Sequence, residues 1–351
     1  MKQTDAEIFE EIKNSNKPLV LWGAEKCAQN IMRILSKNNI FIDAVFDNLE
    51  YSSKRYFNEF EILSFEKICQ KYDNFSILHA FGNQDLIEKY IDNPQVINVY
   101  ALFDINDFDM LFSKEFITEN LDELLILKND LKDEFSKKSL DAYIKSRTNS
   151  DWQYIKPFLA NRECFPEFMN FSENETIVDC GAFTGDTLEQ YYNQVGSFNY
   201  YYALEPNPYN SEKLRDKVKN LRLNNVDIIE VGSWNEKGKL TFFLNGDQTN
   251  LTFDKESQSA SNINVDTIDN ICKCNASFIK MDIEGAEKQA ILGAVNTIST
   301  QRPKLAISVY HKKDDLISIP KIIKSLYPDY QFYFRLHHHL GMDAILYAVP
   351  L

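Results

Sequence analysis

The sequence predicts an α/β protein with two sheets of mostly parallel strands and a helical segment between them. Short apolar runs alternate with amphipathic helical stretches in both halves, which is the pattern of parallel strands joined by crossover helices. The length of 351 residues favours two domains. We therefore predict a first α/β domain over residues 1–118, a helical connector over 119–149 and a second α/β domain over 150–351.

Composition and charge exclude several classes of protein. The net charge of −14 argues against nucleic acid or an anionic membrane as the main partner, because clustered Lys and Arg bind both. No apolar run approaches the roughly 20 residues of a membrane-spanning helix, and the polar, acidic start does not resemble a secretion signal. The six cysteines show no metal-binding spacing, so we expect reduced thiols in a cytoplasmic protein.

The first domain has the outline of a Rossmann-like unit. Its predicted strands are 17–23, 40–46, 75–80 and 96–100. Only Gly23 remains of the dinucleotide fingerprint, and Glu25 would repel a phosphate, although Asp47 falls where a ribose-binding acid is expected. We favour a docking or specificity module here, with a nucleotide-binding or NAD-binding enzyme as the alternative.

The connector carries a mostly apolar stripe at helical spacing. Its members are Leu121, Leu124, Leu125, Lys128, Leu131 and Phe135. This stripe predicts a helix packed against one or both domains. A partner-binding or homodimerisation helix is the alternative, and the first domain is a second candidate for a homo-oligomer contact.

The second domain begins with a strand that runs into a glycine-containing turn. The apolar run 176–180 is followed by Gly181 and Gly185 and then by a helical segment. Such a turn presents backbone N–H groups to a ligand at the carboxyl edge of a sheet. The spacing after Asp179 fits a nucleoside with an amino-acid tail, such as S-adenosylmethionine (SAM), better than a pyrophosphate. A turn that serves only packing is the alternative.

Two further strands end in candidate ligand-binding residues. Glu205-Pro206 follows strand 199–204, one strand–helix–strand unit after Asp179, where a carboxylate can accept hydrogen bonds from ribose hydroxyls. A helix-start acid is the alternative for Glu205. Ser233 and Trp234 follow strand 226–231, and Trp234 could cover an adenine or simply belong to the core. A polar stretch over 245–262 predicts a loop above the site.

A second acidic cluster follows the apolar strand 278–281. Asp282 and Glu284 precede Gly285, and two carboxylates at one strand end repel each other unless a cation lies nearby. The sulfonium of SAM, a metal ion or Lys280 could supply that charge. A helix cap is the alternative, favoured for Glu287. We expect no metal, because two clustered carboxylates are common without one.

Histidines concentrate at the end of the chain. His311 follows strand 304–310, and His337, His338 and His339 lie between two strands that would close the sheet. A neutral histidine suits removal of a proton from a hydroxyl. We predict His311 as the base, with His337 or His338 as the second choice and His339 as a solvated loop residue.

These motifs resemble the FkbM family of SAM-dependent methyltransferases over roughly residues 161–350. The resemblance rests on 178–187, 203–206, 279–287 and 303–311. It implies a class I methyltransferase fold, with a seven-stranded and mostly parallel sheet, preceded by a Rossmann-like extension. The family's usual Arg-His ending appears here as Arg335-Leu336-His337-His338, which leaves open which histidine corresponds.

The resemblance also implies a reaction and its site. Methyl transfer from SAM to a hydroxyl of a carbohydrate or glycoconjugate precursor is expected, with a small-molecule or glycan acceptor. A SAM- or nucleotide-sugar-binding protein without turnover is the alternative. The candidate SAM-binding residues are Asp179, Gly181, Ala182, Phe183, Gly185, Asp186, Thr187, Glu205, Pro206, Ser233, Trp234 and Asp282. The candidate catalytic residues are His311, Asp282, Glu284, His337 and His338.

Overall fold

The computed structural model describes most of the chain as two compact units. The described residues are 5–24, 26–47, 56–80, 90, 93–101, 112, 114–149, 154–160, 165–245, 248–250, 260–272, 275–338 and 343–351. The first unit comprises Met1–Ser113 and Ile144–Tyr154, and the second comprises Lys114–Tyr143 and Ile155–Leu351. Glu25, His339 and the predicted-loop residues 246–247 and 251–259 lie outside the described residues.

The first unit is built on a six-stranded sheet. Its strands are β1 (Leu19–Trp22), β2 (Ala44–Phe46), β3 (Tyr56–Phe57), β4 (Phe60–Leu63), β5 (Phe75–His79) and β6 (Val96–Ala101), in the order β3-β4-β2-β1-β5-β6. All neighbouring strands are parallel except the β3–β4 hairpin. Within the described residues before the second unit, the helices are α1 (Asp5–Asn14), α2 (Lys26–Lys37) and α3 (Phe65–Lys71).

Aromatic side chains fill one face of this first sheet. Trp22 stacks on Phe46 with 5.5 Å between ring centroids, and Phe65 and Tyr90 complete the cluster. Every residue of β1 is buried, as expected for a central parallel strand covered on both faces. The short β3–β4 hairpin was not predicted, because its turn contains no glycine and uses Asn58 in the left-handed region instead.

The second unit contains a seven-stranded sheet and a smaller one. The strands of the large sheet are β7 (Thr176–Cys180), β8 (Tyr200–Leu204), β9 (Val226–Ile229), β14 (Phe278–Met281), β15 (Lys304–Ser308), β16 (Tyr330–Leu336) and β17 (Ala344–Pro350). Their order is β16-β17-β15-β14-β7-β8-β9, and β17 runs antiparallel to both its neighbours while the remaining pairs are parallel. The small sheet has the order β10-β13-β11-β12, with β10 (Gly232–Ser233), β11 (Gly238–Asn245), β12 (Gln248–Asn250) and β13 (Ala260–Asp266).

Eight helices lie wholly or partly within the described residues of the second unit. They are α4 (Lys114–Glu119), α5 (Leu121–Asp130), the first part of α6 (Glu134–Asn149), α7 (Asp186–Val195), α8 (Pro208–Asn220), α9 (Ile268–Ile271), α10 (Glu287–Leu292) and α11 (Asp315–Leu326). The α/β class predicted from the sequence is confirmed. The loop predicted over 245–262 is wrong in part, because β12 and the beginning of β13 lie within it.

The connector region differs from its predicted helix. Leu124, Leu127 and Leu131 are buried, whereas Leu121 and Leu125 are each 48% exposed. The predicted stripe is wrong for those two positions and for Phe135, which is 39% exposed, because α5 ends at Asp130 and Leu131 forms a parallel bridge with Phe332 of β16. This contact fixes which face of α5 turns inward.

None of the helices within the described ranges combines the length and the hydropathy needed to cross a membrane. The cysteines that can be assessed, Cys69, Cys180 and Cys272, are free thiols.

Candidate active site

The turn after β7 brings three strand ends together. Gly181 has a φ of 80°, and a Cβ atom there would lie 2.1 Å from the carbonyl oxygen of Asp282. Its N–H donates to the carbonyl oxygen of Leu204 at 2.9 Å. Gly185 has a φ of 82°, and its Cβ would lie 2.5 Å from Leu214 Cδ1. Both glycines are therefore required by backbone conformation and packing, whatever ligand approaches the turn.

Asp179 is a buried structural acid at this point. Tyr201 Oη donates to Asp179 Oδ2 at 2.7 Å, and Lys280 Nζ lies 3.3 Å from Oδ1. Lys280 also donates to the carbonyl oxygen of Gly181 at 2.9 Å. Burial raises the pKa of Asp179, and the positive charge of Lys280 only partly offsets this. Asp179 therefore holds Lys280 and the Gly181 turn in place and presents no surface to solvent.

Glu205 fixes the loop from the other side. Its Oε2 accepts from the Phe183 N–H at 2.9 Å, and its Oε1 accepts from the Asn207 N–H at 2.9 Å. Burial raises the pKa of Glu205 in spite of these hydrogen bonds. Phe183 has a φ of 47° and is 41% exposed. Pro206 links Glu205 to Asn207, the N-cap of α8.

The next three candidates begin or precede helix α7. Ala182 is fully buried, Asp186 is exposed and Thr187 is buried. Gly185 is the N-cap of α7 and supplies no side-chain hydrogen bond. Backbone N–H groups of the first turn are thus left for solvent or a ligand.

Ser233 and Trp234 lie at the small sheet. Ser233 is buried beside Cys180, whose pKa is raised to about 12 by burial even though the Ser233 hydroxyl works in the opposite direction. The side chain of Trp234 packs against Ile263 and Val265, and its backbone N–H donates to the carbonyl oxygen of Asp266 at 2.9 Å. This position favours the core alternative for Trp234 over contact with an adenine.

An acidic cluster surrounds His311 at the ends of β14 and β15. His311 Nδ1 lies 2.8 Å from Glu287 Oε1, and its Nε2 lies 3.6 Å from Asp282 Oδ1 and 3.7 Å from Glu284 Oε2. The side chains of Glu287 and His311 are almost completely buried, whereas those of Asp282 and Glu284 are 35% and 39% exposed. Tyr310 Oη donates to Asp282 Oδ1 at 3.1 Å.

Burial and neighbouring charges shift the pKa values in this cluster. Burial would lower the pKa of His311, but Glu287, Asp282 and Glu284 outweigh it and raise the pKa to about 10. This raised pKa favours the imidazolium form of His311 at neutral pH, and the role of His311 as the base stays a prediction. Burial raises the pKa of Glu284 to about 7, against the opposing charge of His311. Burial also acts to raise the pKa of Asp282, but Lys280 and His311 outweigh it and lower that pKa.

The same cluster has the composition of a possible metal site. One ligand atom from each of Asp282, Glu287 and His311 lies within 4.8 Å of the others. However, Glu287 Oε1 accepts from the Ile283 N–H at 2.9 Å and pairs with His311 Nδ1. Either a proton on His311 or a bound cation would supply the positive charge that these carboxylates require.

A cavity of about 120 Å³ lies beside this cluster. His337 lines it, and His337 Nε2 lies 2.9 Å from Tyr347 Oη. His338 is buried and is not among the residues lining this cavity. Further lining residues are Asp186, Thr187, Lys280, Asp282 and Asp343. The cavity thus joins the start of α7 to the end of β14.

Sequence reasoning missed the role of Glu287 and the presence of Tyr310 and Asp343 at the site. Glu287 does accept the Ile283 N–H as a capping acid would, but its other contact is with His311. No spacing pattern signals that contact, since Glu287 and His311 lie on different elements that meet only in the folded chain. Tyr310 immediately precedes His311 in the sequence, and this adjacency is the feature that could have placed Tyr310 near the site.

Comparison with known proteins supplies an independent finding. Residues 179–339 match the model of the methyltransferase FkbM domain. The chain is similar to the crystal structure of methyltransferase FkbM from Methylobacillus flagellatus KT, with 23% identity, a TM-score of 0.75, and coverage of 99% of this chain and 94% of that one. That likeness shows a shared fold.

Two other solved structures are similar over about half of the chain. An rRNA methylase from Streptococcus thermophilus has 14% identity and a TM-score of 0.36, covering 53% of this chain and 93% of its own. Fibrillarin from Aeropyrum pernix, with natively bound S-adenosyl-L-methionine, has 14% identity and a TM-score of 0.32, covering 51% and 67%. No curated protein matches the chain.

Proposed function

We propose, from the premise that this chain is an FkbM-family methyltransferase, that it transfers the methyl group of SAM to a hydroxyl of a carbohydrate or glycoconjugate precursor. The observation that carries the proposal is the position of two partly exposed carboxylates, Asp282 and Glu284, at the end of β14. They lie 3.6 and 3.7 Å from a buried histidine and follow a strand paired with β7, whose end forms the glycine turn.

The residues present fit SAM on two observations. Helix α7 begins without a side-chain cap, so its first N–H groups are available to a carboxylate. Glu205 is fixed at the end of β8 by the Phe183 and Asn207 N–H groups and by the Asn210 side chain at 3.4 Å, and a carboxylate with about four acceptor positions keeps capacity for one ribose hydroxyl. The exposed ring of Phe183 lies on the same loop and offers an apolar surface to a nucleoside.

Charge at the cavity suits a sulfonium ion. Asp186, Asp282 and Asp343 line it, and the lining cation, Lys280, is already paired with Asp179. When bound, SAM supplies an electrophilic methyl carbon attached to positively charged sulfur. The carboxylates that line the cavity would attract that charge, and the lining side chains would hold the acceptor hydroxyl in line with the methyl group.

The carboxylates that line the cavity also limit which acceptors can bind there. Carboxylates accept hydrogen bonds from hydroxyl groups, and they repel phosphate and carboxylate groups. We therefore favour a neutral or amino-bearing sugar over a nucleotide-linked one.

Methyl transfer can be tested with [methyl-³H]SAM and glycan fractions from the native host. The proposal predicts SAM binding by calorimetry and transfer of tritium to a neutral glycan, recovered as a methyl ether by mass spectrometry. Binding of SAM with transfer only to protein or nucleic acid would refute the carbohydrate assignment. Binding of SAM without any transfer would favour the non-catalytic alternative.

A further inference from the structure

We propose that the first unit contains a binding site for an acidic sugar, meaning a carbohydrate that carries a phosphate ester or a carboxylate. The site is a cavity of about 550 Å³ between the outer face of α2 and the turn of the β3–β4 hairpin. It shares no described lining residue with the cavity beside Asp282, so binding to it can be tested without SAM or methyl transfer. Its described lining residues are Gln29, Met32, Arg33, Ser36, Lys37 and Asn58.

The two faces of α2 have different environments. Ile31 and Leu35 are buried and belong to the core of the first unit. Gln29, Arg33 and Lys37 are exposed and recur every four residues, so their side chains form one row along the outer face of the helix. A regular helix anchored by its apolar face thus holds two cations at the cavity, one turn apart.

The charge of these two cations is not balanced by the described part of the chain. Arg33 and Lys37 form no ion pair with any described residue. By contrast, Lys13 and Lys128 each pair with a carboxylate. No acidic residue is among the described lining residues, and the sequence from 26 to 42 contains none, although the whole chain has a net charge of −14. Like charges one turn apart destabilise a helix, and an anion bound between them would relieve that repulsion.

The chemistry of the two cations indicates an oxyanion. The guanidinium of Arg33 is a planar fork of N–H donors that matches a phosphate or a carboxylate with two parallel hydrogen bonds. The ammonium of Lys37 adds a compact positive charge one turn further along the helix. Phosphate esters and carboxylates share this recognition chemistry, and the experiment below separates them.

Uncharged lining groups favour a sugar over a bare ion. The amides of Gln29 and Asn58 and the hydroxyl of Ser36 can each donate to and accept from sugar hydroxyls. Asn58 is in the left-handed region, with a φ of 51°, at the turn of the hairpin that lines the cavity. Half-buried Met32 adds an apolar surface. A volume of about 550 Å³ lies within the range of about 300–1,000 Å³ that is typical of small-molecule sites. Such a site would give the first unit the docking or specificity role that its sequence favours.

The test is a titration of the SAM-free, ¹⁵N-labelled full chain, followed by ¹H–¹⁵N TROSY NMR at matched ionic strength. The four probes are glucose 6-phosphate, glucuronate, inorganic phosphate and glucose. Each probe is added to the wild type and to the variants Arg33→Gln, Lys37→Gln and Lys67→Gln. Lys67→Gln is the matched control, because Lys67 is an exposed lysine on α3 of the same unit and does not line the cavity.

We expect both acidic sugars to shift the amide signals of α2 and Asn58 saturably, and glucose to leave those signals unchanged. Arg33→Gln should weaken this binding at least about tenfold, because a charge-assisted hydrogen bond to the oxyanion is lost. Lys37→Gln should weaken it about fivefold, as expected for one solvent-exposed charge, and Lys67→Gln should stay within about twofold of the wild type. Added NaCl should weaken the binding, because salt screens exposed charges. Whichever acidic sugar binds more tightly identifies the anion, and either order supports the site.

Absence of saturable shifts with both acidic sugars would overturn the proposal, as would equal weakening by Arg33→Gln and Lys67→Gln. Shifts by glucose as large as those by glucose 6-phosphate would refute the recognition of charge. Inorganic phosphate that binds as tightly as glucose 6-phosphate would overturn the assignment to a sugar, because the uncharged lining groups would then contribute nothing. A wild type that binds the acidic sugars but not SAM would support this site and refute the proposed methyl transfer.

Discussion

His311 Nδ1 lies 2.8 Å from Glu287 Oε1, and both side chains are buried. Helix α10 begins at Glu287, and His311 follows β15, so this pair ties the segment after β14 to the segment after β15. The rim formed by Asp282 and Glu284 depends on that tie, because both carboxylates face the other nitrogen of the same ring.

Removing the buried charge of Glu287 should destabilise the fold. Glu287→Gln leaves the His311 cation without its nearest partner, so we expect the free energy of unfolding to fall by about 3 kcal/mol at neutral pH. Urea denaturation, monitored by fluorescence, measures the free energy of unfolding of each variant. Glu189→Gln is the control, since Glu189 pairs with Lys217 at 2.6 Å on the surface and should cost less than about 1 kcal/mol. Equal effects of the two substitutions would contradict a buried ion pair.

The pH dependence of stability should carry the signature of His311. Its pKa in the folded protein is raised to about 10, so the stabilisation is fully present below about pH 6.5 and is lost as the pH rises toward 10. The free energy of unfolding should therefore decrease between these values, by at most about 1.4 kcal/mol per pH unit for one proton. His311→Gln should flatten that slope. An unchanged slope would show that another group is responsible.

Gly181→Ala tests the close approach of the β7 turn to β14. The added Cβ would lie 2.1 Å from the Asp282 carbonyl oxygen, whereas the same change at Gly196, with a φ of 93°, meets nothing within 4 Å. Gly196→Ala should cost about 1 kcal/mol from its backbone conformation alone. Gly181→Ala should cost at least about twice as much, since backbone atoms must also move. Similar urea midpoints for the two variants would argue against the close contact.

Substitution of Arg335 tests whether the end of β16 contributes to packing or to SAM binding. Its Nη2 lies 2.8 Å from Asp133 Oδ2, and its guanidinium lies over the rings of Phe135 and Phe168. Lysine cannot reproduce that planar contact, so Arg335→Lys should lower the free energy of unfolding by about 1 kcal/mol and leave SAM affinity unchanged. Arg215→Lys, at an exposed pair, is the control. A loss of SAM affinity without a loss of stability would assign Arg335 to the site.

Strand ends were predictable from the sequence, but protonation states were not. Asp179, Glu205, Asp282 and His311 each end or follow a parallel strand, and an apolar run followed by a turn shows this directly. The charge of His311 depends on Glu287, which reaches it from a different element. The burial of Asp179 depends on Tyr201 and Lys280 of the two neighbouring strands, and a one-dimensional pattern contains neither pairing.

The connector is a second example, because its sequence predicted a helix but not which face of that helix is buried. Helical spacing alone admitted Leu125 to the buried stripe, whereas the structure buries Leu127 instead. The choice between them follows from the point where α5 ends and Leu131 meets β16. A periodic pattern gives the existence of the helix, and only its tertiary contacts give the face that turns inward.

The most direct measurement of the central claim is a calorimetric titration of SAM into the wild type, Phe183→Ala and Phe41→Ala. Phe183 is an exposed ring on the loop held by Glu205, and Phe41 is an 81% exposed ring of the first unit. We predict one SAM bound per chain, about tenfold weaker binding by Phe183→Ala, equivalent to about 1.4 kcal/mol, and unchanged binding by Phe41→Ala. No SAM binding by the wild type, or equal affinity in all three proteins, would contradict a SAM site at the carboxyl edge of the second sheet.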